Sequence, residues 1–319
     1  MSVFTDVAAE GILLAGGGRA ILLQIADPAV GAGVAAHSDF ANRPLERFAN
    51  TVTYAYSTVF ATPAELAAVV RRVNAAHGPV HSTPHIHGPA RSTPHIHGPA
   101  HSTPHIEAPE PTLGTTDATA TGVAGDKSAP HAIEADSSAR TDAAGDTVAY
   151  NAFEPGAQLW VAATLYQSAI TVYEKVFGPL ADADAEEVYQ QYAVLGTALQ
   201  VPAGSWPADR EHFATYWSDS MARLEVSDDA RRVASDLLHP RTAPLMLRLV
   251  LPVVRLVTAG LLSPELRRAF VLPWSPRHQR RFDRLFAATA VIYPRLPRVV
   301  RTLPKRHYLS ALRRSLTEH

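Results

Sequence analysis

Apolar residues along most of this chain recur at the three-and-four spacing of a helix, in segments separated by proline, glycine and helix-capping residues. Thr62-Pro63-Ala64-Glu65 has the form of a capping box with proline at the first helical position. Leu66, Val69, Val70 and Val73 follow on one face, which predicts a helix ending near His77-Gly78-Pro79. From Pro155 to Phe177 the residues Leu159, Ala162, Ala163, Tyr166, Ile170 and Tyr173 make one broad stripe, stopped by Gly178-Pro179. Asp184, with Glu187 after it, predicts the start of a helix through Tyr189, Tyr192 and Leu195; Ser227-Asp228, Ser263-Pro264 and Ser275-Pro276 are further starts. Asp27-Pro28 breaks one helix and opens another, running through Val30 and Val34 to His37. No hairpin signature and no convincing period of two occurs, so the chain reads as all-α, a multi-helix globular domain.

Residues 77–106 differ in kind. They are near-identical ten-residue copies beginning at His77, His87 and His97, each with two prolines, and a stretch rich in Ala, Thr, Asp and Gly follows to about Thr147. Such a segment buries too little apolar surface to offset the entropy of ordering it, and a polar period of ten is too short for a stacked-repeat architecture. The expectation is a disordered, low-complexity insertion over 77–147, a tandem duplication in a tolerant loop. It divides one helical domain formed by 1–76 and 148–319.

Composition narrows the chemistry. With 319 residues, 46% of them hydrophobic, the chain is long enough for a substantial core. A formal net charge of −1 gives no whole-molecule attraction to nucleic acid, which we exclude as a partner. The charge is uneven: 107–146 is acidic, and arginines accumulate from Arg231 onward. These read as solvated helix faces, with contact to phosphates or lipid headgroups as the alternative, so weak membrane association stays open. The absence of cysteine excludes disulfides, thiolate-ligated haem and cysteine nucleophiles, leaving histidine and oxygen donors as ligands. Asp6 and Glu10 precede the first apolar run, and Gly16-Gly17-Gly18 and Arg19 interrupt it, which is not the order of a secretory signal. The apolar stretch 244–262 contains Arg248, Pro252 and Arg255, too interrupted for a spanning helix; a cytoplasmic location is expected.

Several motifs have plain structural readings. Gly16-Gly17-Gly18 lacks a preceding strand, G-x-G-x-x-G spacing and a Gly-Lys-Ser/Thr ending, so it is read as a turn between close-packed helices that uses permissive backbone angles. No Gly-x-Ser-x-Gly elbow or His-Glu-x-x-His helix is present, and Glu186-Glu187 and Asp228-Asp229 fall at helix starts, where the dipole explains them. Asp27 is a good N-cap for the helix opened by Pro28; a carboxylate near a bound cofactor is the other reading. In the repeats, His85, His87, His95 and His97 offer imidazoles suited to zinc, nickel or copper(II), but a flexible tract without supporting hydrogen bonds points to adventitious binding.

Four blocks in order, Gly16 to Val30 running on to His37-Ser38-Asp39-Phe40, Arg71-Arg72-Val73-Asn74-Ala75-Ala76-His77, Leu159-Trp160-Val161-Ala162-Ala163-Thr164-Leu165 and Leu272-Pro273-Trp274-Ser275-Pro276, resemble the MpaB and rubber-oxygenase (latex-clearing protein) family of haem proteins. The resemblance implies a helix-lined apolar cavity holding haem b and admitting a hydrophobic, isoprenoid-type substrate. A carbon–carbon double bond of that substrate would be cleaved with dioxygen; no redox partner is specified. It makes Arg71 or Arg72 the candidate catalytic polar group, with Arg72 preferred, and places Trp160, Thr164 and Tyr166 along the pocket.

Two positions depart from the family pattern, because Asp27 and Ala162 stand where histidine is usual. In rubber oxygenases a helical histidine in the region of position 162 is the proximal iron ligand, and alanine has no donor. Three accounts follow: His37 or His77 holds the iron, haem binds without a protein ligand on that side, or haem has been lost. The rival to an active oxygenase is accordingly a non-catalytic descendant, a scaffold or a binder of apolar ligands, and a third reading is metal binding by the histidine repeats.

Overall fold

The computed structural model describes residues 2–36, 44–77, 154–197, 201–202, 204–240 and 245–317. These belong to one unit, Met1–Pro84 with Thr147–His319. A second unit, His85–Asp146, lies wholly outside the described residues, as does the expected disorder of the insertion. In chain order the elements are α1 (Val3–Ala8), a 3-10 turn (Gly11–Gly16), α2 (Gly17–Ala26), α3 (Pro28–Ala36), α4 (Pro44–Phe60), α5 (Pro63–His77), α6 (Pro155–Phe177) and α7 (Asp182–Thr197). Then come α8 (Arg210–Ala222), α9 (Asp228–Leu238), α10 (Leu245–Leu261), α11 (Pro264–Ala269), α12 (Pro276–Ile292), a second 3-10 turn (Tyr293–Arg295), α13 (Arg298–Arg301) and α14 (Leu303–Thr317). No strand occurs among the described residues, in keeping with the all-α expectation.

The predicted start signals act locally. The Glu65 amide donates to Thr62 Oγ1 at 3.3 Å and the Thr62 amide donates to Glu65 Oε2 at 2.8 Å, closing the capping box. Ser227, Ser263 and Ser275 accept from the amides of Ala230, Leu266 and His278. Asp184 is a correction: α7 begins earlier, at Asp182, and both aspartates lie in its first turn, where the helix dipole favours them.

Packing centres on α2 and α6. The latter touches the first 3-10 turn, α2, α7 and α12, so its burial spreads beyond the predicted stripe to Gln158, Trp160, Thr164, Ser168, Val172 and Val176. Enclosed on several sides, the helix is exposed only near its ends, at Pro155, Gly156, Glu174 and Lys175. On the far side of the same helix, Val172 and Val176 meet Val257, Leu261, Phe282 and Phe286. The C-terminal helix α14 closes over α4 and α5 through Leu309 and Leu312, against Val52, Tyr54, Tyr56 and Val69.

The triple glycine works differently from the sequence expectation. Gly16 and Gly17 have φ of −77° and −59°, ordinary right-handed values, so permissive angles are not what the triplet supplies. What it supplies is proximity. A β-carbon would stand 2.9 Å from the Ser168 carbonyl oxygen at Gly16, 2.6 Å from Phe48 at Gly17, and 2.1 Å from Thr258 Oγ1 at Gly18.

Among the described residues no helix is long and apolar enough to cross a membrane. The bent pair Gly11–Ala26 and Pro28–Ala35, joined at 99°, meets a span's length and composition, but it carries Leu22, Leu23, Ile25 and Ala26, which are core residues of the unit. A groove of about 350 Å³ does occur, between the end of α1, the end of α4, α13 and the start of α14. Ala162, beside which the resemblance put the apolar cavity, is not among its lining residues.

Candidate functional site

Thr164, Ser168 and Thr171 share one face of α6 by helical spacing, and α2 lays Arg19 and Gln24 against them. Gln24 Nε2 donates to Thr164 Oγ1 at 3.0 Å, and Arg19 Nη1 donates to Ser168 Oγ at 3.3 Å and Thr171 Oγ1 at 3.2 Å. The hydroxyls of Thr164 and Thr171 donate in turn to the carbonyls of Val161 and Gln167. The result is a polar seam inside an apolar core.

Arg19 is the unusual member. It is only 9% exposed, no carboxylate of the described residues pairs with it, and its Nε lacks a partner. Burial pushes its guanidinium down to about 10, which leaves it charged at neutral pH. The face of Trp217, 5.7 Å from its Cζ, supplies part of the compensation. The seam thus offers a fixed cation, an amide and hydroxyls, a set able to bind a polar oxygen but holding no base or nucleophile that titrates near neutrality.

Trp160 borders this seam. Its Nε1 donates to the Leu23 carbonyl at 3.2 Å, and its ring stacks on Trp217 with centroids 5.3 Å apart. Tyr166, expected to line a pocket, sits instead edge-on to Tyr189, Tyr192, Trp206 and Phe213, at 5.4, 5.1, 6.1 and 5.1 Å. Burial pushes the Tyr166 phenol up to about 12, so it stays neutral and packs as an aromatic core residue.

Ala162 is 1% exposed and faces α7. A β-carbon built on Gly196 would lie 3.6 Å from the Ala162 β-carbon and 3.8 Å from Val201 Cγ2, which is van der Waals contact. A porphyrin at this point needs an axial donor and a slot beside the helix. Position 162 offers no donor, and no histidine is buried among the described residues. In their donor set, the described residues around 162 do not fit a ligated haem.

The other expected site residues are dispersed. Asp27 caps α3, its Oδ1 accepting from the Val30 amide at 3.0 Å, so the capping reading holds and the carboxylate is occupied. Arg72 is exposed and donates to Ser315 Oγ at 3.1 Å on α14; it does not join Trp160 and Thr164. The helix predicted to reach His37 ends at Ala36, and His37 lies outside the described residues; so do the His77 side chain and His85, His87, His95 and His97. Among the described residues no group of three or more His, Cys, Asp or Glu could hold a metal ion.

Sequence reasoning did not single out Arg19, Gln24 or Trp217. The available signal was a charge immediately before the apolar run Ala20 to Ile25, in a helix otherwise fit for burial.

Comparison with known proteins yields one family model, described as the ER-bound oxygenase mpaB/B'/rubber oxygenase catalytic domain, which matches residues 5–103 and 114–291. Two uncharacterized mycobacterial proteins, Mb2261 of Mycobacterium bovis and Rv2237 of Mycobacterium tuberculosis, are each 43% identical over 145 residues, covering 45% of this chain and 57% of their own length. The chain therefore spans little more than half of these relatives. No solved structure matches.

Proposed function

Since the chain belongs to the family of ER-bound oxygenase mpaB and rubber-oxygenase catalytic domains, we propose that it descends from haem-dependent enzymes acting on hydrophobic, isoprenoid-type substrates, and that its sixth helix has exchanged iron ligation for close packing. On this reading the protein is a helical binder of apolar ligands on an oxygenase scaffold. The observation that carries it is the burial of Ala162, 1% exposed, in the apolar core beside α7, where the helix offers no nitrogen donor. Asp27 supports it, because the second position at which the family commonly has histidine is engaged as a helix cap.

The test is the visible absorption of full-length protein produced with added haem and passed through size exclusion. Retention of no Soret band is the expected result.

A second reading keeps the oxygenase active, with haem b held by His37 or His77. It is favoured by the extent of the family match, which takes in both histidines, and by the buried Trp160, Thr164 and Arg19, which leave polar groups next to the helix. A strong Soret band that is lost on His37→Ala or His77→Ala would establish it and overturn the first. Metal uptake by the histidine repeats is separable: it would persist in the repeat peptide alone and vanish on deletion of 77–106.

A further inference from the structure

Around the join of α12, α13 and α14 the chain turns large apolar side chains outward. Val291 and Ile292 are 56% and 59% exposed, Val299 and Val300 58% and 45%, and Leu303 52%. Scattered exposed aliphatics are ordinary, but this many within 291–303 mark a surface that something covers. The same region is basic throughout: residues 284–317 contain no Asp or Glu. On α12, helical spacing puts Arg281 and Arg284 on the face that ends in Val291 and Ile292, and all four are exposed.

Val299 also belongs to the groove, where Ala9, Phe60 and Val299 supply apolar walls and Arg298, Lys305 and Arg306 the charge. Lys305 Nζ stands 4.4 Å from the centroid of the Phe60 ring. Asp6 pairs with Arg298, and Glu10 with Arg301 at 2.6 Å. No carboxylate of the described residues pairs with Lys305 or Arg306. Burial first, then Arg298 and Arg306, lower the Lys305 pKa, and the pull of Asp6 only partly opposes them.

We propose that this face docks on an anionic phospholipid bilayer, with Val300 and Leu303 entering the boundary of the acyl region and Lys305 and Arg306 meeting lipid phosphates over the groove. Charge complementarity selects this occupant. Aliphatic side chains interleaved with unpaired cations, and no acid nearby in the chain, suit a surface that is apolar in depth and negative at its rim. The outer arginines of α12 add longer-range attraction that salt screens. The proposal does not rest on the oxygenase reading, and its failure would leave that reading untouched.

Full-length protein is sedimented with vesicles of phosphatidylcholine alone and of phosphatidylcholine mixed with phosphatidylserine, at low and high salt. Binding to the mixed vesicles is expected, falling with salt. Val300→Asp with Leu303→Asp, and separately Lys305→Glu with Arg306→Glu, are each expected to weaken it by about tenfold or more. Circular dichroism monitors folding, and Lys305→Gln with Arg306→Gln gives the same comparison if charge reversal unfolds the chain. Equal binding to both vesicle types, or binding untouched by the variants, overturns the proposal. So does an oligomer by light scattering that Val300→Asp with Leu303→Asp dissociates while vesicles are ignored, which would make the face an interface between copies. Uptake of inorganic phosphate without vesicle binding also overturns it.

Discussion

Ala162 and Gly196 face each other across α6 and α7: a β-carbon added at Gly196 would rest 3.6 Å from that of Ala162. An imidazole at 162, a position only 1% exposed within the apolar core, would have to displace packed neighbours. Ala162→His is therefore expected to cost about 1–3 kcal/mol of stability, as overpacked core substitutions do, and to leave haem uptake unchanged. Thermal unfolding and Soret titration of the variant check both parts. An unchanged melting temperature accompanied by a new haem band would show that the helices part readily and that the ancestral slot persists.

Asp27 gives a second, independent measurement. Its Oδ1 satisfies the Val30 amide at the break between α2 and α3, where the Glu225 amide also donates to the Ala26 carbonyl at 2.9 Å. Asp27→Ala should lower stability by about 0.5–2 kcal/mol, while Asp27→Ser should retain most of it. Denaturant midpoints of the two variants decide this. If both lose equally, capping is not what Asp27 does and the cofactor reading of its carboxylate regains ground.

The helical plan was legible because its signals are local. Thr62 with Glu65, and Ser227, Ser263 and Ser275, each act on an amide within the next turn. α4 and α8 were not singled out, because burial of Tyr54 or Phe213 is decided by partners remote in sequence. The site was less legible for the same reason. Trp160 and Thr164 stood out through the resemblance, but Arg19 acquires its role from Ser168, 149 residues away. Tyr166 reads as pocket lining until Trp206 and Phe213 are seen filling the space around it. Gly16-Gly17-Gly18 was identified as special, yet composition cannot separate a need for unusual angles from a need for close approach.

That distinction has a direct test at Gly18. In an unobstructed helix, replacing glycine by alanine stabilises by roughly 0.5–1 kcal/mol. Here the added methyl would lie 2.1 Å from Oγ1 of the buried Thr258. Gly18→Ala should therefore destabilise, by about 1–3 kcal/mol, and Thr258→Ala in the same chain should recover a large part of the loss. Chemical denaturation of the two single variants and the double variant measures the coupling. Stabilisation by Gly18→Ala alone would mean that α2 and α10 are not pressed together at this point.

Glu10 supplies the pH dependence. It is 5% exposed and accepts from Arg301 Nη1 at 2.6 Å, yet burial, opposed by Arg301 and Tyr293, raises its pKa above the ordinary 4.5. The folded state thus binds this proton more readily than the unfolded chain. The Glu10 contribution to stability is complete below pH 4.5 and is lost as pH rises through the raised folded value. Glu10→Gln keeps the neutral shape at every pH, and Arg301 retains the Phe177 face, 5.6 Å from its Cζ. The variant is expected to melt above the parent at neutral pH, with the two curves converging below pH 4.5. Thermal unfolding across that range reads the difference. A variant less stable than the parent at neutral pH would mean that the attraction of Arg301 outweighs the cost of burying the carboxylate.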